Sequence, residues 1–143
     1  MKQHTSFSYD PETHTTTCTR RVRDTYFVGT AKCHPQDYDF ENKLTGEHYA
    51  YMRTVIKEAQ QVRDEYKQQL KILKHVYSLF EQNNQIDLHS QECYYVKKQI
   101  ENIQNNINEF KELISALKDN LYLTIEHKNE MYIKIRKARV GNN

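Results

Sequence analysis

The sequence predicts a mostly α-helical fold with a small β element near its N-terminus. Apolar residues recur at alternating steps of three and four over two long stretches, which is typical of helices that each bury one narrow stripe. β-Branched and aromatic residues concentrate between positions 13 and 33. Both prolines precede residue 36, so the rest of the chain is free to be helical. We therefore expect a β-hairpin followed by two long antiparallel helices that form a coiled-coil-like hairpin.

The second predicted helix covers residues 90–139 and carries the clearer pattern. Its apolar seam consists of Val96, Ile100, Ile103, Ile107, Phe110, Ile114, Leu117 and Leu121. Ser90 and an acidic first turn indicate the start, and Gly141 is a usual C-terminal stop. After Leu121 the apolar face widens, which suggests that the last third of this helix meets different neighbours.

The first predicted helix covers residues 47–82, after Gly46 has interrupted any earlier helical turn. Its seam consists of Ile56, Ala59, Tyr66, Leu70, Leu73, Tyr77 and Phe80. The polar segment 81–85 separates the two helices. Because this connection is short, we expect the helices to fold back on each other in antiparallel fashion.

The β element is predicted between residues 13 and 33, after a mobile N-terminus of residues 1–12. A threonine-rich run ending at Val22 and a second run from Tyr26 to Cys33 favour two strands joined by a tight turn at Arg23 and Asp24. Residues 34–46 are expected to form a loop or a short helix. Asp37 or Asp39 is the expected helix cap, although the pair can also bind a cation weakly.

Composition indicates one oligomeric domain spanning residues 1–143. Hydrophobic residues make up 37% of the chain, below the value of about 45% for globular domains. Two helices with such narrow seams bury too little surface to offset the entropy of ordering them. We therefore expect further partners, most simply other copies of the same chain.

Several classes of function are disfavoured by the composition. A net charge of +2 argues against a general DNA-coating protein. Three widely spaced cysteines favour neither a disulfide framework nor a zinc site, and suggest a reducing cytoplasm. No apolar run is long enough for a membrane span or a signal peptide. We find neither a catalytic constellation nor a glycine-rich phosphate loop, so we expect neither an enzyme nor a cofactor.

Basic residues near the end of the second helix suggest an anion site. Arg136 and Arg139 share one helix face and can chelate a phosphate, although basic residues at a helix C-terminus also complement the helix dipole. Phe110 or Tyr132 can stack on a base, and Asn120 can bond to a polar edge. Aromatic residues at seam positions are more often core, and amides on a long helix more often solvated.

One stretch resembles a known family of phage proteins. The matching residues are Gly29, Thr30, Ala31, Lys32, Cys33, His34, Pro35, Asp37, Gly46, Ala50 and Arg53. This pattern is similar to that of the type-one Thoeris anti-defence family, found in phages and prophages of Gram-positive bacteria. The resemblance implies a non-enzymatic sponge in the host cytoplasm that sequesters the cyclic ADP-ribose isomer made by an immune sensor. Some members also bind cyclic oligonucleotides, and members assemble as homo-oligomers, dimers and hexamers.

Two classes of function therefore remain. The first is a Thoeris inhibitor that holds a cyclic nucleotide signal without degrading it. The alternative is a helical phage protein that inhibits a host defence protein by direct binding, for which the same seams would serve. A nucleic-acid binder ranks third, supported only by the basic residues Arg20, Arg21 and Arg23.

Overall fold

A computed structural model describes residues 4–83 and 87–141 of the chain. The predicted fold class is confirmed, because an N-terminal antiparallel sheet precedes two long helices. Within this fold the chain divides into two compact units, a first unit, Met1–Glu58 with Ser115–Asn143, and a second unit, Ala59–Ile114. The elements are β1 (His4–Asp10), β2 (Thr15–Val22), β3 (Thr25–Lys32), a 3-10 helix (Pro35–Phe40), α1 (Lys43–Gln82) and α2 (Gln91–Gly141).

The sheet of the first unit contains one strand more than the sequence analysis predicted. β2 and β3 form the predicted hairpin, with Val22 opposite Thr25 and Arg23 in the left-handed region at φ 57°. The N-terminal segment expected to be mobile instead forms β1, which pairs with β2 from His4 to Asp10. Strand β1 has neither glycine nor proline, so its backbone can complete a ladder along the free side of β2. Residues 1–3 of the predicted mobile segment lie outside the described residues.

Helix α1 lies against one face of this sheet at very short range. The buried side chains at this contact are small: Cys18, Ala31, Ala50 and Thr54. A Cβ on Gly29 would lie 2.4 Å from the Ala50 carbonyl oxygen and 2.7 Å from the Thr54 nitrogen. Glycine in β3 therefore permits the close approach of the helix backbone to the strand.

The start of α1 differs from the prediction of residue 47. The helix begins at Lys43 because the Asn42 side chain accepts hydrogen bonds from the backbone N–H groups of Leu44 and Thr45, at 2.8 and 3.2 Å. Gly46 consequently lies inside the first turns of α1. A Cβ there would lie 2.6 Å from Thr16 Oγ1, so this glycine serves close packing on the sheet and does not interrupt the helix.

The connection before α1 contains the 3-10 helix Pro35–Phe40, where the sequence suggested a helical turn near 39–44. The N-cap of this 3-10 helix is His34, whose Nδ1 accepts a hydrogen bond from the Gln36 backbone N–H at 3.2 Å. Capping by Asp37 or Asp39 was thus a wrong prediction. Both carboxylates point instead to cationic partners described below.

The second unit consists of the adjoining parts of α1 and α2, which run antiparallel. The Tyr66 and Phe110 rings lie 5.8 Å apart, and the Lys97 ammonium lies 5.6 Å from the Tyr77 ring centroid. Ile107 is 2% exposed, in agreement with the predicted seam. Helix α2 begins as predicted, and the Ser90 hydroxyl accepts a hydrogen bond from the Cys93 backbone N–H at 3.3 Å. Of the predicted polar break 81–85, residues 84 and 85 lie outside the described residues.

We predict that Gly29→Ala destabilises the protein. The added methyl group would overlap backbone atoms of α1, and relieving such overpacking typically costs about 1–3 kcal/mol. Urea unfolding followed by circular dichroism measures the loss.

Gly141→Ala is the matched control, because its added Cβ has no heavy atom within 4 Å. We expect that variant to remain within about 0.5 kcal/mol of the wild type. Equal unfolding free energies for the two variants would contradict the proposed close contact.

Candidate functional site

The 3-10 helix and the C-terminal part of α2 meet through ion pairs in the first unit. Arg136 donates to Asp37 Oδ1 at 2.5 Å and also to the Gln36 carbonyl oxygen. Arg139 Nη1 donates to Asp39 Oδ2 at 3.0 Å. Arg136 also lies 3.9 Å from Asp39, so the two arginines and the two aspartates form one connected group of balanced charge.

Two aromatic rings complete this arrangement. Phe40 stacks on Tyr132 with ring centroids 4.4 Å apart and an interplanar angle of 9°. Both guanidinium carbons, of Arg136 and of Arg139, lie 5.0 Å from the Phe40 ring centroid. We call Phe40, Tyr132, Arg136 and Arg139 the arginine–aromatic cluster. It presents the two features that nucleotides require, which are planar cationic donors and a ring face.

The two arginines of this cluster differ in their contact with solvent. The Arg136 side chain is 35% exposed and Arg139 is 59% exposed, so Arg139 offers more of its donors to an incoming anion. Tyr132 lies deeper. Burial, with the nearby Asp37 carboxylate, raises its pKa above the ordinary value of 10.0. Its phenol is therefore a neutral hydrogen-bond donor at physiological pH.

A second group of side chains holds the residues that follow the 3-10 helix. The Tyr9 hydroxyl donates to Glu41 Oε1 at 2.5 Å, and His14 Nδ1 lies 2.7 Å from Glu41 Oε2. The His14 ring stacks on Tyr38 at a centroid distance of 3.7 Å. The Tyr9 hydrogen bond, aided by His14, lowers the pKa of Glu41 below its usual value. The same bond raises the pKa of Tyr9 to about 12.

Cys33 lies between these two groups and is not activated as a nucleophile. Burial raises the pKa of its thiol, and the carboxylates of Glu41, Asp37 and Asp39 raise it further. A reactive cysteine needs the opposite surroundings, with positive charge that stabilises the thiolate. Cys33 therefore remains a protonated thiol at neutral pH.

Four of the five residues predicted for the anion site lie in the first unit, and three of these four come together. Arg136, Arg139 and Tyr132 are brought together by Phe40 and the aspartates. Asn120 is exposed, and twelve helical residues place it about 18 Å along α2 from Tyr132. Phe110 belongs to the second unit, where its ring packs against Tyr66.

The sequence analysis assigned other roles, or no role, to three residues of this arrangement. Asp37 and Asp39 were considered as weak ligands for a cation, and the cations that they meet are the guanidinium groups of the same chain. Phe40 was not among the residues predicted for the anion site. The available signal was its position directly after two spaced acidic residues, which marks a segment able to meet a basic helix end.

Neither a metal centre nor a membrane helix emerges from the described ranges. Between residues 4 and 141, leaving out 84–86, no three His, Cys, Asp or Glu side chains are arranged to hold a metal ion. Both helices, as far as they are described, are too polar to cross a bilayer.

We predict unequal coupling energies for the two main ion pairs. A double-mutant cycle of Asp37→Asn with Arg136→Gln should give a coupling free energy of about 1 kcal/mol, because both side chains are partly shielded from water. The cycle of Asp39→Asn with Arg139→Gln should give at most about 0.5 kcal/mol, since that pair is more exposed. Urea unfolding of each single and double variant supplies the values. A larger coupling for the exposed pair would contradict the assigned geometry.

We predict that the Tyr9–Glu41 hydrogen bond makes stability depend on pH at both extremes. Tyr9 has a folded-state pKa of about 12 against an ordinary value of 10.0, so its contribution to stability is complete below pH 10 and is lost as pH rises towards 12. Glu41 has a lowered folded-state pKa, so its contribution is present above about pH 4.5 and is lost as pH falls through the folded value.

Ultraviolet titration of tyrosinate measures the alkaline part of this dependence. Subtracting the titration curve of Tyr9→Phe from that of the wild type isolates the ionisation of the Tyr9 phenol. In Glu41→Gln the Tyr9 phenol should titrate closer to pH 10, because the carboxylate that accepts its hydrogen bond is absent. An unchanged Tyr9 titration in Glu41→Gln would rule out this hydrogen bond as the cause.

Comparisons of the chain with protein-family models, with curated proteins and with solved structures find no match.

Proposed function

We propose that this protein binds a small anionic nucleotide signal and holds it without converting it. The observation that carries the proposal is the convergence of Arg136, Arg139, Phe40 and Tyr132 in one place. Guanidinium groups suit phosphate oxygens because they donate two parallel hydrogen bonds. Aromatic rings suit a purine because aromatic faces stack favourably on one another.

The mode of binding follows from the existing partners of the arginines. A phosphate or pyrophosphate would take over donors now directed at Asp37 and Asp39, and it would use the outward-facing side of Arg139 first. The rings of Phe40 and Tyr132 remain in place beneath the guanidinium groups. The ligand therefore replaces one set of anions by another, and the fold of the surrounding segment is retained.

Retention without turnover is consistent with the chemistry of the neighbouring groups. The Cys33 thiol has a raised pKa, so it is a poor nucleophile. Both Glu41 oxygens already interact with Tyr9 and His14, which leaves that carboxylate poorly suited as a general base. A site that binds tightly and lacks an activated nucleophile favours sequestration.

The ligand class and biological role come from the resemblance of residues 27–53 to the type-one Thoeris anti-defence family. On that basis we propose a cyclic ADP-ribose isomer as the ligand, with cyclic oligonucleotides as a second class. The protein would act in the cytoplasm of the infected bacterium, where removing the signal keeps the downstream defence effector inactive.

A second candidate function is favoured by the surface of α2. Six large hydrophobic side chains that follow Leu121 are exposed, namely Tyr122, Leu123, Met131, Ile133, Ile135 and Val140. Tyr122, Ile133 and Val140 fall near one line of the helix, which is typical of a face that contacts another protein. In this alternative the chain inhibits a host defence protein by direct binding.

Isothermal titration with cyclic ADP-ribose isomers and a panel of cyclic oligonucleotides tests the first proposal. We expect submicromolar binding of at least one compound, and at least tenfold weaker binding by Arg136→Ala/Arg139→Ala because two phosphate donors are lost. The ligand should be recovered intact after heat denaturation, as analysed by mass spectrometry.

Lys98→Ala/Lys111→Ala is the matched control, because it also removes two positive charges but from the exposed surface of the second unit. We expect this variant to bind like the wild type. Absence of binding across the panel would contradict the sponge and favour the direct inhibitor. Recovery of a cleaved product would contradict the absence of turnover.

A further inference from the structure

The free edge of β1 is the largest set of backbone hydrogen-bonding groups that the sheet leaves open. The Cys33 N–H donates to the His14 carbonyl at 3.0 Å, which fixes the even-numbered residues of β2 as those that bond to β3. The odd-numbered residues of β2 therefore bond to β1, where their partners are His4, Ser6, Ser8 and Asp10. Thr5, Phe7 and Tyr9 consequently direct their N–H and C=O groups away from the sheet. Among the described residues, nothing forms a hydrogen bond to these outward groups.

The opposite edge of the sheet is protected. On β3, the Val28 carbonyl accepts a hydrogen bond from Lys57 Nζ at 2.5 Å, and the Thr30 carbonyl accepts one from Arg53 Nη1 at 2.7 Å. Charged side chains that cover edge carbonyls are a common means of preventing strand addition. Strand β1 has no such cover within the described ranges, and its seven residues include neither lysine nor proline.

The apolar side chains of β1 support the same conclusion. Phe7 and Tyr9 lie on the sheet face that α1 covers, since they stand opposite Cys18 and Thr16. Phe7 is nevertheless 41% exposed. A further strand beside β1 would continue this face and remove the Phe7 ring from water.

The sequence of β1 is complementary to itself when two copies run antiparallel around Phe7. This is the one antiparallel register in which all seven residues of both strands are paired. In it, the outward backbone N–H and C=O groups pair Thr5 with Tyr9, Phe7 with Phe7 and Tyr9 with Thr5. On the other face, Ser6 meets Ser8, and His4 meets Asp10 of the second copy. The facing side chains are thus hydroxyl-bearing residues, apolar rings, or an imidazole and a carboxylate, and no like charges oppose each other.

We propose that β1 is a homodimer interface, in which two copies of this chain join their sheets edge to edge across a two-fold axis at Phe7. The interface is isologous, so it closes after two copies and does not lead to open-ended addition. Backbone hydrogen bonds supply its directionality, and the paired Phe7 rings supply its apolar contact. This proposal stands apart from nucleotide binding, because it uses none of the arginine–aromatic cluster.

Disulfide trapping tests the register of the two strands. In a Cys33→Ser background, which leaves only the buried Cys18 and Cys93, Phe7→Cys should give a covalent dimer under mild oxidation. Its two Cα atoms would be about 5.5 Å apart, within the range for a disulfide. Ser6→Cys is the matched control. Its two copies would be about 8 Å apart in this register, so it should cross-link much less.

Charge exchange at the same position tests the interface in solution. Phe7→Lys and Phe7→Glu should each be monomeric in analytical ultracentrifugation, with dimerisation at least tenfold weaker, because like charges would oppose each other. Mixing the two variants should restore the dimer, a result that a misfolded variant could not give. In the wild type, amide exchange of Thr5, Phe7 and Tyr9 should slow as protein concentration rises.

Each of three results would overturn the proposal. The first is a wild-type protein that stays monomeric up to several hundred micromolar. The second is equal cross-linking of Phe7→Cys and Ser6→Cys. The third is a wild-type dimer that persists unchanged in Phe7→Lys, which would assign dimerisation to another surface of the chain.

Discussion

The close contact between α1 and β3 is the constraint on which the first unit depends. Because Gly29 lacks a side chain, the helix backbone at Ala50 and Thr54 approaches the strand to a distance that other residues would prevent. This approach fixes the rotation of α1 about its own axis. Arg53 and Lys57, one helical turn apart, consequently reach the carbonyl groups at the edge of β3. One absent methyl group thus determines both the packing of the sheet and the protection of one of its edges.

The segment between the sheet and α1 is held from two sides by different kinds of interaction. Tyr9 and His14 bind Glu41 at one end of the segment, and the C-terminal arginines of α2 bind Asp37 and Asp39 at the other. No buried side-chain nitrogen or oxygen in the described ranges lacks a hydrogen-bond partner. A short 3-10 helix has little stability of its own, so these contacts account for its order. The same contacts place Phe40 under two guanidinium groups.

The sequence was informative where periodicity or composition carries the signal. The α2 seam around Ile107 and the β2–β3 hairpin followed from spacing and β-branched content, because these depend on local pattern. The strand β1 was not predicted, since its order comes from pairing with β2 and most of its residues are polar. At the candidate site, Arg136 and Arg139 were found as a basic pair. Their partners on the 3-10 helix, about 100 positions earlier in the chain, required the tertiary fold.

The carboxylates that occupy the two arginines also have a consequence for selectivity. Asp37 and Asp39 are attached to the same chain, so they compete with any free anion at an effective concentration in the millimolar range or above. Singly charged ions such as chloride form too few hydrogen bonds with the two arginines to displace Asp37 and Asp39. The proposed ligand, with several phosphate oxygens and a stacking ring, would gain enough contacts at once to displace these carboxylates. Under the proposed function, the internal ion pairs would act as a threshold that admits polyvalent, aromatic anions and excludes simple inorganic anions.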